Sequence, residues 1–210
     1  MSQPPYLIGL TGDVGAGKST VRRWLEARGV AALDADAVVH TLLGDGGEAR
    51  RAVMERFGGT VIAPDGGIDR AALARVVFGD AAALADLETI LHPLVRTRTR
   101  TWLASCGAEV AVVEAVKLVE GGLAAQCDAV WLVLAASHRR AERVRVRGWD
   151  EAETARRMAA ATPLAPRLAM ATEVIDNTGT PEATAAQLEA AWQRLELRRA
   201  QVGKRPPAHS

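Results

Sequence analysis

Short apolar runs punctuate the chain at Tyr6-Leu7-Ile8-Gly9-Leu10, Val30-Ala31-Ala32-Leu33, Glu109–Val116, Asp128–Leu134 and Glu173-Val174-Ile175-Asp176. The two longest are almost continuously apolar, the pattern of a strand buried on both faces of a parallel sheet. Between the runs the period changes to that of helices. Val21, Trp24 and Leu25 share one face of a helix opening at Lys18, with Gly29 as its C-cap, and a helix is expected over Ala37–Leu43. After a turn at Gly44–Gly47, Val53, Met54 and Phe57 stripe a helix over Glu48–Phe57, which Gly58-Gly59 stops. Pro64-Asp65-Gly66-Gly67 is a strong turn between Val61-Ile62 and Ile68, consistent with a small hairpin.

Further helices are expected from an Asp69 N-cap through Val77, over Ala81–Leu91, and from Pro93 to Ser105, with His92-Pro93 as the break. A helical segment at Gly122–Gln126 and an Arg-rich helix His138–Arg147, capped by Ser137, follow. A turn at Gly148-Trp149-Asp150 leads into Glu151–Ala161, which makes an αα-hairpin with a basic first arm; Thr162-Pro163 ends it. Leu164–Ala171 and a last helix from Thr180-Pro181 to about Ala200 complete the chain, and Gly203–Ser210 reads as a disordered tail. Strands alternating with helices predict a doubly wound five-stranded parallel sheet in an α/β/α arrangement. The block 47–105 holds too many helices for a simple crossover and reads as an insertion within a single domain of 210 residues.

Composition narrows this picture rather than changing it. Hydrophobic residues make up 49% and charged residues 24%, enough for a buried core. Net charge is +1, which argues against duplex nucleic acid as the main partner. Cys106 and Cys127 lack zinc or redox spacing, no run is long enough to span a membrane, and the N-terminus lacks a secretory pattern. A cytoplasmic protein with free thiols is expected.

The chemistry begins at Gly12-Asp13-Val14-Gly15-Ala16-Gly17-Lys18-Ser19, which reads G-x-x-x-x-G-K-[ST] between a strand and a helix, followed by Thr20. That context makes a P-loop. Its glycines let backbone N–H groups close around phosphate, and the helix end adds positive potential. Lys18 supplies a charge to the β/γ phosphates and the Ser19 hydroxyl a ligand for Mg²⁺. A nucleoside triphosphate and Mg²⁺ are thus the expected partners, and the insertion is expected to hang over one side of the nucleotide site.

Phosphoryl transfer further needs an acid to orient or deprotonate the acceptor, and positive charge near the transferring group. Asp34 and Asp36 end the second strand, where open α/β sheets bind ligands, though helix capping is the competing role. Glu114 and Glu120 follow the third strand, Glu114 in either a Walker-B or a purely structural role. Arg139, Arg140, Arg143, Arg145 and Arg147 crowd one helical arm, and Arg143 and Arg147 share a face. Such an arm over the γ-phosphate would exclude water; a solvated basic face is the alternative. His40 and His92 are candidates for substrate contacts, against purely structural roles.

Taken in order, Gly9-Leu10-Thr11-Gly12-x-x-Gly15-x-Gly17-Lys18-Ser19-Thr20-Val21, Asp34-Ala35-Asp36 with His40, Leu91-His92-Pro93 and Val174-Ile175-Asp176-Asn177-x-Gly179 resemble the dephospho-CoA kinase family. The resemblance covers most of the chain. It implies ATP-dependent phosphorylation of the ribose 3′-hydroxyl of dephospho-CoA, the last step of CoA synthesis. It also implies a P-loop kinase core, a CoA-binding insertion matching 47–105 and a lid matching 137–171. By position, Asp36 resembles the acid at the 3′-hydroxyl and Arg143 and Arg147 the lid arginines, while Asn177 and Gly179 fall near the adenine. Asp34, His40, His92, Lys117 and Glu120 are the expected substrate contacts. The chain departs from the family after the third strand, where Val116 and Lys117 stand in place of proline and leucine, and the lid start is one residue short. Lys117 is placed to contact a CoA phosphate or to sit on the surface. Two other functions fit the P-loop: a kinase for a different small molecule, and a switch or assembly factor that hydrolyses ATP slowly. A monomer or weak homo-oligomer is expected.

Overall fold

The computed structural model describes residues 4–146 and 162–202. Five parallel strands, β1 (Tyr6–Thr11), β2 (Ala31–Asp34), β3 (Val110–Glu114), β4 (Ala129–Leu134) and β5 (Glu173–Asp176), lie in the order β2-β3-β1-β4-β5. The helices are α1 (Lys18–Glu26), α2 (Ala35–Gly44), α3 (Glu48–Phe57), α4 (Arg70–Gly79), α5 (Ala81–Ser105), α6 (Ser137–Val146), α7 (Leu164–Met170) and α8 (Pro181–Val202).

Alternation along the strands builds two cores. Ile8, Leu10, Val112, Trp131, Val133 and Ile175 face α1 and α8, where Val21, Leu25, Leu188 and Leu195 meet them. Leu7, Ala111, Val113 and Val130 face α2, α5 and the segment 118–124. This is the expected three-layer α/β/α. Each large side chain buried there contributes about 1.5–3 kcal/mol.

A third core belongs to residues 43–91: Leu43, Val53, Val61, Leu73, Val77 and Leu91 pack together. The expected hairpin shrinks to a single antiparallel bridge, Ile62 to Ile68, after a turn of 3-10 helix at Gly58–Val61. The segment expected as a helix at Gly122–Gln126 is only a 3-10 turn, Ala124–Gln126.

The largest departure is α5. The sequence predicts two helices broken at His92-Pro93, but one α-helix runs from Ala81 to Ser105 with Pro93 inside it. An interior proline costs about 3 kcal/mol. Here Leu91 is buried in the third core and Val95 in the sheet core, so packing on both sides of Pro93 holds the helix through it.

The close packing beneath β1 has a chemical consequence. A Cβ on Gly9 would lie 2.6 Å from Leu118 Cδ2 and 2.8 Å from Cys127 Sγ, so a larger residue there would have to displace both. Burial pushes the Cys127 thiol up to about 12, leaving it protonated at neutral pH and a poor nucleophile. A Cys106→Ser variant should therefore react slowly with a thiol reagent at pH 8 when native and fast in denaturant; equal rates would contradict this burial.

Candidate active site

The P-loop bridges β1 and α1, and its glycines are needed where neighbours press in. Gly12, Gly15 and Gly17 have φ of 152°, 78° and 102°. An added Cβ would fall 2.4 Å from the Val133 carbonyl oxygen at Gly12, 2.6 Å from that of Arg140 at Gly15, and 1.9 Å from Asn177 Nδ2 at Gly17. The loop is thus seated against β4, α6 and the turn after β5 at once. Lys18 is 8% exposed, and its Nζ donates to the Gly12 carbonyl at 3.0 Å, folded back over the loop it serves. Ser19 and Thr20 follow in the first turn of α1.

The acids arrive from the neighbouring strand ends. Asp34 pairs in register with Glu114, and Glu114 with Leu10 of β1. Asp34, Glu114 and the start of the P-loop therefore share the carboxyl edge of the sheet, where α/β proteins bind ligands. Asp34 Oδ1 accepts from the backbone N–H of Asp36 (2.9 Å) and Ala37 (3.1 Å), so it caps α2. Helix α2 starts at Ala35 rather than Ala37, which puts Asp36 in its first turn, exposed, with His40 exposed one turn on. Glu114 is ion-paired to Arg22 at 3.0 Å. Burial raises its pKa, while Lys18 and Arg22 oppose that rise and Asp34 and Asp36 add to it. The same couplings put Lys18, Asp34 and Asp36 within electrostatic reach of one carboxylate.

His92 and Lys117 meet elsewhere, on the α5 side. Lys117 is ion-paired to Glu88, and the His92 ring lies against Gly121, where an added Cβ would be 3.3 Å from Nε2. Arg96 donates to the Gly121 carbonyl at 3.0 Å. Residues 88, 92 and 96, spaced by four, thus clasp the loop that follows β3. Burial lowers the His92 pKa, so the ring is neutral at pH 7. Glu120 is exposed.

On the opposite flank, the Arg143 guanidinium donates to the carbonyls of Gly15 (3.3 Å), Ala16 (3.0 Å) and Asn177 (2.8 Å). Asn177 is buried, donates to the Ala16 carbonyl at 2.9 Å and accepts from Thr184 at 3.1 Å. Beside them opens a hollow of about 210 Å³ lined by Thr20, Trp24, Arg143, Gly179, Pro181 and Leu188. Arg147 lies outside the described residues, as do the second arm of the αα-hairpin and the tail 203–210.

Two residues that the sequence left among its many arginines stand out. Arg140 is 8% exposed and Arg167 is 1% exposed, and both are ion-paired to Asp13 at 2.9 Å. Their signal was absent from the sequence because the partners are more than a hundred residues apart.

Comparison with known proteins gives this site a lineage. The family model for dephospho-CoA kinase matches residues 6–182. The dephospho-CoA kinase of Geobacter sulfurreducens is 38% identical over 190 residues, spanning 89% of this chain and 96% of the relative. That of Thermobifida fusca is 39% identical over 193 residues, spanning 91% and 96%. Among solved structures, TT1252 from Thermus thermophilus aligns with a TM-score of 0.76 at 33% identity, covering 92% of this chain and 99% of that one. A shikimate kinase from Acinetobacter baumannii, at 14% identity and a TM-score of 0.53, covers 91% and 94% and shares the fold. This chain belongs to the dephospho-CoA kinase family.

Proposed function

We propose that this chain transfers the γ-phosphoryl group of ATP to the ribose 3′-hydroxyl of dephospho-CoA, giving CoA and ADP. The observation that carries this reading is the shared sheet edge: Asp34 and Glu114 pair there in register, and Lys18, Asp34 and Asp36 all bear on the Glu114 carboxylate. An acid beside a phosphate-binding lysine serves transfer to a hydroxyl.

In this reading Asp36 accepts the proton of the 3′-hydroxyl as its oxygen forms the new bond to phosphorus. The bond from the γ-phosphorus to the bridging oxygen breaks, and that electron pair leaves with ADP. Lys18 and the P-loop N–H groups neutralise charge on the β and γ phosphates. Mg²⁺ holds its waters tightly and needs only one or two protein oxygens beside the phosphates, which suits Ser19 with carboxylates nearby. When bound, the ion neutralises phosphate charge.

The hollow beside Trp24, Gly179 and Pro181 takes the adenine, with Arg143 and Asn177 fixing the loop that forms its floor. Asp34 holds α2 in place for Asp36. His40, His92, Lys117 and Glu120 are assigned to the acceptor side, residues 47–105 to the binding of the CoA moiety, and residues 137–171 to a lid carrying Arg143 and Arg147. Among the described residues no helix is long and apolar enough to cross a membrane. We assign the protein to the cytoplasm as a monomer or weak homo-oligomer.

The test is ADP release with ATP and Mg²⁺, with and without dephospho-CoA, with CoA identified as product. Strong acceptor-dependent turnover to CoA is expected. Turnover independent of dephospho-CoA would favour the slow ATP-hydrolysing switch and discard the acceptor.

A further inference from the structure

The P-loop carries one acidic side chain, and both its partners come from distant helices. Asp13 Oδ2 lies 2.9 Å from Arg140 Nη1 on α6, and Oδ1 accepts from Arg167 Nη1 on α7, also at 2.9 Å. Every nitrogen of Arg167 has a partner: besides Nη1, Nε donates to the Pro163 carbonyl (3.2 Å) and Nη2 to that of Thr162 (2.7 Å). The same is not true of Arg140. Its Nε donates to the Val14 carbonyl at 3.0 Å and its Nη1 meets Asp13, but Nη2 is sealed from solvent and has no hydrogen-bond partner among the described residues. A buried donor left unmet forfeits its hydration with nothing in return.

Charge tells the same story as geometry. Among the described residues two buried guanidinium groups share one carboxylate, which leaves one surplus positive charge beside the loop built for phosphate. An anionic oxygen would satisfy both the surplus charge and the orphaned donor.

We propose that Asp13 is a positioning residue for the nucleotide: it holds the Arg140 guanidinium against the P-loop so that Nη2 meets a phosphate oxygen of the bound nucleoside triphosphate. Arg167 is the fixed post on the other side of the carboxylate and makes no phosphate contact. The inference rests on the phosphoryl-transfer reading above. It also follows that one P-loop side chain, Asp13, joins α6 to α7, which lie in sequence order on either side of residues 147–161.

The test is calorimetric titration of a non-hydrolysable ATP analogue with Mg²⁺, which needs no acceptor and so remains decisive even if dephospho-CoA proves not to be the substrate. The variants are Asp13→Asn, Arg140→Lys and their combination, with kcat and KM for both substrates measured alongside. Lysine keeps the charge of Arg140 but not the fork that spans Val14, Asp13 and a phosphate. Each single variant should weaken analogue binding and lower kcat/KM for ATP roughly 10- to 100-fold, the scale of a misplaced group. KM for dephospho-CoA should hold, and the double variant should be no worse than Arg140→Lys alone, because the residues act as a unit. Unchanged analogue affinity in a folded single variant, or losses that add in the double, would overturn the proposal. Should Asp13→Asn fail to fold, with two buried cations lacking a counter-charge, Arg140→Lys decides alone.

Discussion

Replacing Lys18 with alanine is expected to lower kcat/KM for ATP roughly 100- to 1000-fold, about 2.7–4 kcal/mol of transition-state stabilisation. Lys18 is 8% exposed, in a loop whose other side chains bring no positive charge. Away from bulk water a charge-assisted contact to phosphate is strong, and water cannot replace the ammonium once the site closes over substrate. The fold should survive, because α1 is held by Val21 and Leu25 in the sheet core, not by the lysine. Steady-state kinetics with a melting curve make the check. Wild-type turnover in the folded variant would remove the P-loop from the chemistry.

The Asp36→Asn exchange should act on a different quantity. A positioned base contributes roughly 10²–10⁴ to the chemical step, so kcat should fall by that range while ATP affinity holds. The structure separates this role from capping. Asp34 supplies the cap of α2 through its bonds to the N–H groups of residues 36 and 37, so a neutral side chain at 36 leaves the cap intact. Asp36 also sits in the first turn of α2, where the helix dipole favours an anion. A fall in ATP affinity with kcat preserved would mark Asp36 as a structural group and move the search for the base to Asp34 or Glu114.

Much of the fold was legible because a parallel sheet buried on both faces leaves continuous apolar runs such as Val110–Val113 and Val130–Val133. The P-loop was legible because its glycines combine positive φ with close neighbours, a combination that side chains rarely tolerate. What stayed hidden is tertiary. A proline was read as a break at 93, where Leu91 and Val95 bury themselves in different cores and carry α5 through. Lys117, an open question in the sequence, is engaged by Glu88. Arg143 grips carbonyls of the P-loop and of Asn177, and Arg140 and Arg167 grip Asp13. An arginine gives no local sign of which distant oxygen it will meet, so a chain rich in arginine hides the few that grip the P-loop.

The strand order also governs how the site comes into being. β1 precedes both of its partner strands by about 100 residues, yet it is the central strand, pairing Tyr6 with Val110 on one side and Ile8 with Ala129 on the other. About 100 residues must leave the ribosome before either edge of β1 is covered, roughly 5–20 s at ordinary elongation rates. Throughout that interval the P-loop has no sheet to hold its shape. Residues 43–91, whose core is made of contacts local in sequence, can collapse in the meantime. Nucleotide therefore cannot guide the early steps of folding; it stabilises only the finished sheet.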